Sequence, residues 1–412
     1  MANIMDKYIT KIEGHGSLET DWTPPSGASK VKLHIHEGER LFEGLLVGRT
    51  IEESHWITPR ICGVCPIAHN LASLRACEDG LGIEINETSK LLRDLMVCAQ
   101  MMQSHALHLF FLSLPDYLGI DRGTELAKKD PKSFKAALDI KEVSDEMATV
   151  VAGRNIHPTT TTIGGFHKTP TKEDMEKLLE KIKKTRKSAE HSLKLCSKIK
   201  FPELKIDLEF VAQENGLIKS NKVKDVSVKN YKENITEEIR SYSTAKFGTY
   251  KGREIMVGAL ARIYFLSPDD PKLTSISWSS GDVKIDFQNP FHNNLAQAIE
   301  ILIYHKRAEK LLNQLLRLNL DSKLPRFNLA NSKGIGVVEA PRGGLYHELH
   351  WDDKGIITYA NIITPTVQNL TSIEKSANAL LEQHENKSQK EKKHLLEMLV
   401  RAYDPCITCS TH

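Results

Sequence analysis

The sequence predicts an α-rich α+β fold: a central buried helical bundle with peripheral β-sheets. Three observations carry that prediction. Several long segments space their apolar residues by three and four, the period of a helix with one buried face. One of them, "LLRDLMVCAQMMQSHALHLFFL" (91–112), is apolar on so much of its surface that it belongs deep inside a bundle. Shorter alternating segments and Gly-rich turns lie outside these helices, as sheets at the edge of a helical core do.

Residues 1–55 read as a β-rich N-terminal segment, in which "VKLHIHEG" (31–38) alternates like a half-buried strand. From Pro66 the pattern turns helical, and "PIAHNLASLRACEDGLGI" ends near Gly80 and Gly82. A second helix is expected over about 89–113, with Ser89 as its N-cap. A third is expected over 172–199, capped by Thr171 with Asp174 three residues on, and its lysine-rich side reads as a solvated face. Residues 201–290 read as a β-containing excursion, with "LKIDLEFV" and "DVKIDF" as alternating segments. A long amphipathic helix follows over 289–318, then Gly-rich turns and strands over 334–368. A last helix, 371–402, stops before Pro405, which cannot continue it. No repeat, low-complexity tract or linker interrupts the chain. One domain over residues 1–412 is therefore expected.

Charge excludes some partners. Lys and Arg number 56 against 53 Asp and Glu, a net +3, which gives no reason to expect nucleic acid. No run of 18 apolar residues is present, so no membrane span is expected. The start, "MANIMDKYITKIEGHG", lacks the basic-then-apolar layout of a secretory signal. With an odd count of seven cysteines, this argues for reduced thiols and a cytoplasmic protein.

Four of those cysteines form two identical pairs. "RICGVCPIAHN" (60–70) contains Cys62 and Cys65, and "DPCITCSTH" (404–412) contains Cys406 and Cys409. If they converge, four thiolates make a soft donor set suited to zinc, an iron–sulfur cluster, or nickel with iron. Pro66 and the helical pattern after it place the first pair at a helix N-terminus, where the dipole favours thiolate. His69 lies one turn on and faces back towards Cys65, where it can donate to a metal-bound sulfur. The bland reading is a structural zinc site, although the pairs of such modules usually lie close in sequence. A thioredoxin-like dithiol is a third reading, which the lack of a βαβ pattern around either pair disfavours.

The two cysteine motifs resemble those of the large, catalytic subunit of nickel–iron hydrogenases. "KIEGHG", "RLFEG", "SHALHLFFLSLPDY", "NPFHNNLAQAIEI", "EAPRGG" and "ANIITPTVQN" follow in that family's order, so the resemblance spans nearly the whole chain. It is nearer to the cytoplasmic, multi-subunit branch with NAD(P)-linked sulfhydrogenases than to the membrane-attached uptake enzymes. The resemblance implies reversible oxidation of H2 at a nickel–iron centre whose iron carries carbonyl and cyanide. Carried over, Cys62 and Cys406 are terminal nickel ligands, while Cys65 and Cys409 also bridge to iron. Glu13 matches a proton-relaying glutamate, and Arg342 an arginine held over the metals. Asp404 matches the carboxylate that positions this arginine, and Thr366 a hydroxyl that donates to a cyanide. Taken alone, Glu13 reads as a surface carboxylate and Thr366 as a turn residue.

Glu43, the carbonyl of Ile362, and His412 fall where the family binds a buried magnesium or iron ion. A chain ending at that histidine resembles the family's processed form. The resemblance also implies an iron–sulfur small subunit, with flavin- and NAD(P)-binding and further iron–sulfur partners. The acceptor would be NAD(P), sulfur or polysulfide, or another soluble carrier. Ser104 departs from the pattern: many members place an aspartate there, near the arginine. Cys77 and Cys98 read as core thiols on helices, Cys196 as lying near the end of an amphipathic one, and His105 and His108 as packing or network residues. The same ligands would serve a hydrogen-sensing protein of this type. A related quinone-binding subunit of respiratory complexes lacks the thiols.

Overall fold

The computed structural model describes residues 8–22, 31–266, 283–320 and 323–412. Four long helices build the bundle: Glu87–Leu107, Pro131–Ala152, Lys172–Cys196 and Asn293–Leu315. Each packs on two of the others, and the Glu87–Leu107 helix is buried on most of its surface. One apolar core runs through side chains from Ile9 to Cys409, and a smaller cluster around Tyr231 and Tyr346 adjoins it.

The second layer is a three-stranded antiparallel meander, Ser332–Ala340, Gly343–Trp351 and Ile357–Ile363. The Pro66–Leu81 helix lies on it at unusually close range. Glycine makes that approach possible. A Cβ added at Gly336 would lie 1.8 Å from the Ala72 carbonyl oxygen, and one at Gly334 would lie 2.0 Å from that of Ala76. The helix carrying the first thiol pair is thus seated directly on the sheet whose first turn holds Arg342.

Several expectations are corrected. The second helix is capped by Asn86, whose Oδ1 accepts from Ser89 N at 2.7 Å, so Ser89 is its third residue rather than its cap. The expected last helix is two, Pro365–Gln383 and Gln389–Ala402. Ser388 and Glu391 form a capping box that starts the second of these. The Pro131–Ala152 helix adds to the expected elements; Asp130 caps it and Pro131 opens it. The N-terminal segment holds one hairpin, Gly16–Thr20 with Val31–Ile35, but then turns helical at Phe42–Leu46 and Ile51–Ile57. The excursion does contain short strands between Glu209 and Met256, but "DVKIDF" forms none where it is described, and residues 267–282 lie outside the described residues. The Thr171–Asp174 capping box forms as expected.

The helical stretch Glu87–Leu118 is, by length and composition, long and apolar enough to cross a membrane. Buried residues make up 78% of its apolar window, which marks the core helix of a bundle. It passes without a continuous apolar run because its Gln, Ser and His residues are few and are averaged with many Leu and Met. At His108–Ser113 it widens into a π-helical turn, a distortion often found at functional positions.

Candidate metal centre

The two thiol pairs meet. Cys62 follows the short 3-10 turn Thr58–Ile61, and Cys65 caps the Pro66–Leu81 helix, with Pro66 at its first position. Cys406 precedes the single turn Ile407–Ser410. Cys62 and Cys406 sulfurs lie 3.2 Å apart, Cys65 and Cys409 3.0 Å, and Cys406 and Cys409 3.0 Å. All four Sγ atoms lie within 4.8 Å of one another, and all four residues are buried. Hydrogen bonds from the Cys406, Cys409 and Cys65 thiols hold Cys62 well below the ordinary thiol range, while burial pushes Cys406 and Cys409 well above it. Such a cluster must release the protons its thiols hold as it takes up metal.

Arg40 ties the two motifs together. Its Nη2 donates to Ile61 O at 2.6 Å and also to Thr408 O, the carbonyls just before Cys62 and Cys409. The tail is strapped to Glu13 as well. Glu13 O accepts from Ile407 N at 3.0 Å, and the Glu13 carboxylate accepts from Thr408 N at 3.1 Å and from Thr408 Oγ1. Thr408 Oγ1 is in turn 3.9 Å from Cys406 Sγ.

Beside the sulfurs lies a small cavity of about 10 Å³. Cys65, His69, Arg342, Thr366, Cys406 and Cys409 face it. Arg342 is buried. Its Nε donates to Asp404 O at 2.7 Å and its Nη2 to Asp404 Oδ1 at 2.8 Å, while Nη1 has no protein partner. Asp404 holds this pose at a φ of +52°, a left-handed conformation rare for a residue with a side chain. Burial alone would weaken the Arg342 charge, but the Asp404 carboxylate holds its pKa well above the ordinary value. Gln297 Nε2 donates to Asp404 Oδ2 at 2.9 Å, and its Oε1 accepts from His108 Nδ1 at 2.5 Å. Thr366 Oγ1 accepts from Cys406 N at 2.9 Å, which leaves the hydroxyl proton free to point elsewhere.

His69 does reach the site, but its Nε2 lies 3.7 Å from Cys409 Sγ rather than on Cys65. The helix turn carries the ring past its own pair to the opposite one. Behind it, His69 Nδ1 meets His347 Nε2 at 3.2 Å, and His347 Nδ1 meets Ser73 Oγ at 3.0 Å. Burial holds His69 near a pKa of about 3, so the free ring is neutral.

A second cluster gathers Glu43, Ile362 and His412. Glu43 Oε1 accepts from Ile362 N at 2.7 Å, and His412 Nε2 lies 2.8 Å from Ile362 O. Lys246 and Glu237 stand beside it, with Lys246 Nζ 3.8 Å from Glu43 Oε2 and 3.3 Å from Glu237 Oε2. Glu237 Oε1 is buried without a partner, and burial raises its pKa.

Cys77, Cys98 and Cys196 are separate, inert core thiols, each pushed up to about 12 by burial. Sequence reasoning missed Arg40, Thr408, Gln297 and His347. Arg40 and Thr408 lie inside motifs already singled out, so nearness to the cysteines was an available signal. Gln297 also lies inside a quoted motif, "NPFHNNLAQAIEI", whereas His347 becomes a neighbour of the site only through tertiary packing.

The donor set fits a nickel–iron pair: four buried soft sulfurs beside a cavity lined by Arg342, whose Nη1 has no protein partner. Such a fold and site define the metal-carrying component of a redox enzyme. The family model described as nickel-dependent hydrogenase matches residues 40–136 and 213–412. The alpha subunit of sulfhydrogenase 1 from Pyrococcus furiosus is 34% identical over 98% of this chain and 96% of its own. A relative from Methanococcus voltae, part of its vhc F420-non-reducing hydrogenase, is 30% identical over 100% of this chain and 95% of its own. In three dimensions the chain is similar to the crystal structure of an NAD+-reducing [NiFe]-hydrogenase in the H2-reduced state. The TM-score there is 0.87, with 24% identity and full coverage of both chains. The chain belongs to the nickel-dependent hydrogenase family, as the catalytic large subunit of a nickel–iron enzyme.

Proposed function

We propose that the four sulfurs hold nickel and iron as the resemblance implies. Cys62 and Cys406 would hold nickel, Cys65 and Cys409 would be shared between nickel and iron, and the iron would carry carbonyl and cyanide. The observation that carries this reading is the convergence of four buried sulfurs, from pairs far apart in sequence, within 4.8 Å. The chemistry that such a pair supplies when bound is heterolytic splitting of H2 to two protons and two electrons.

The chain's own residues manage the protons and the pocket. Thr408 Oγ1 stands between Cys406 Sγ and the Glu13 carboxylate. A proton on sulfur reaches Glu13 through that one hydroxyl, which accepts on one side and donates on the other. Arg342, anchored by Asp404, presents its free Nη1 to the cavity as a fixed positive charge. Thr366 offers its spare hydroxyl proton to a diatomic ligand. His69 supports the Cys409 sulfur from behind. Glu43, Ile362 O and His412 hold a hard divalent ion, magnesium or iron.

Electrons leave through a partner, because the cysteines outside the tetrad are isolated in the core. That partner is an iron–sulfur small subunit. Flavin- and NAD(P)-binding subunits beyond it fit the multi-subunit naming of the relatives. The chain acts as a single domain in the cytoplasm, with NAD(P), sulfur or polysulfide, or another soluble carrier as acceptor. Metal analysis and infrared spectroscopy of the purified complex test the reading. Nickel and iron together, with carbonyl and cyanide stretches, are expected. One zinc per chain without nickel, or active metal-loaded protein without those stretches, would end it.

A further inference from the structure

The loop that presents Arg342 is held from behind by a second arginine. Arg262 uses all its guanidinium donors. Its Nε and Nη2 each donate to one oxygen of Glu300 at 2.7 Å. Its Nη1 donates to Glu339 Oε2 at 2.8 Å and to Ala340 O at 2.9 Å. Its Nη2 donates again to Pro341 O at 2.7 Å. Ala340 and Pro341 are the two residues before Arg342. Glu300 is itself fixed, since His105 Nε2 donates to its Oε2 at 2.8 Å.

The backbone of Arg342 is clasped from the same side. Gly258, which starts the Ala259–Phe265 helix carrying Arg262, has a φ of +106°, and a Cβ there would lie 2.9 Å from Arg342 O. Gly343, next in the chain, has a φ of +132°, and its Cβ would strike Val257 at 2.5 Å. The loop therefore cannot shift unless the Arg262 clamp shifts with it. Burial would raise the Glu300 carboxyl, but the Arg262 ion pair pulls it down to about 2, so the Arg262–Glu300 pair stays charged.

We propose that Arg262 is a positioning residue for the hydrogen reaction: by fixing the Ala340 and Pro341 carbonyls it sets where Arg342 Nη1 points over the metal pair. The proposal rests on the reading of Arg342 given above. Lysine cannot replace the clamp, because a compact ammonium lacks the planar fork that spans two carboxylates and two carbonyls. The clamp also opens to the outside. Arg262, Glu300 and Glu339 line a cleft of about 840 Å³ that shares no lining residue with the sulfurs' cavity. A small cation in solution can thus reach the place of a truncated Arg262.

The test uses the intact hydrogenase complex carrying R262A or R262K. With nickel content unchanged, R262A is expected to displace the cyanide and carbonyl infrared bands and lower turnover about 100-fold, the scale of a misplacement near 1 Å. Guanidinium well below denaturing concentration is expected to return both bands and rate, while an equal concentration of ammonium does not. Bands and turnover unchanged in R262A would overturn the proposal, as would a loss that guanidinium leaves untouched in nickel-replete protein. If R262A fails to assemble, R262K decides: displaced bands support the proposal, and wild-type bands with wild-type rate overturn it. R342K separates the two levels. A harmless R342K sinks the reading of Arg342 itself, whereas a damaging R342K beside a silent R262A sinks only the role of Arg262.

Discussion

Gly336→Ala should damage hydrogen turnover although it lies on a strand away from the sulfurs. The added methyl would sit 1.8 Å from Ala72 O and 2.5 Å from Ala76 N, where ordinary contact begins at 3.4 Å. Both obstacles are backbone of the Pro66–Leu81 helix, so no side chain can swing aside. The helix must lift by about 1.6 Å at that point, the difference between those distances. Overpacking of this kind costs about 1–3 kcal/mol. The helix also carries Cys65 at its start and His69 in its first turn. A displacement above 1 Å there should lower turnover about 100-fold, far more than the stability loss alone explains. The assay is turnover and nickel content of the purified complex, with denaturant unfolding in parallel. Wild-type turnover in a variant that unfolds normally would refute the reasoning, for it would show that the helix and sheet do not fix the thiols' geometry.

Other outcomes follow from the same structure. Arg93 makes two hydrogen bonds to Glu78, at 2.7 and 2.6 Å, both residues being buried, so Glu78→Gln strands a charge. It should cost about 3–5 kcal/mol in denaturant unfolding, and a loss below about 1 kcal/mol would contradict this. Burial holds His55 and His305 at about 4, against 6.5 for a free imidazole. Their unfolded rings take up protons first, so their contribution is full above pH 6.5 and fades as pH falls towards 4. The gap is worth roughly 3 kcal/mol per histidine, and His305→Gln should flatten that part of the pH–stability curve. Cys409→Ser should cut nickel content at least about tenfold, as measured by metal analysis, because a weak oxygen donor replaces a soft one. Glu13→Gln should slow H2/D+ exchange while leaving nickel content and infrared bands in place, since Glu13 touches Thr408 rather than a sulfur.

Much of the site is legible in the sequence, for a specific reason. The thiol pairs are local motifs, and Pro66 behind Cys65 announces a helix start wherever the chain later goes. The bundle's innermost helix betrays itself by being apolar nearly all round. What stays hidden depends on competing or remote partners. Ser89 looks like a cap until Asn86, three residues earlier, is weighed as the competing acceptor. The Pro131–Ala152 helix is hard to see because Ala and Ser make up much of its buried face, so the period of three and four stands out weakly. The single helix expected at the end is two because Ser388 restarts the ladder through its own side chain. The clamp of Arg262 stays hidden because Arg262 sits outside every quoted motif, although its acceptors, Glu300 and residues 339–341, lie inside two of them.

Arg40 reaches across to Ile61 and Thr408 in one gesture, and the sulfurs it brings together are 344 residues apart. Closing a loop of that size costs roughly 5 kcal/mol in chain entropy. A half-folded molecule therefore has no four-sulfur basket in which to catch a stray ion. The complete basket is a property of the whole fold: neither end of the chain, folded by itself, offers more than two of its four donors.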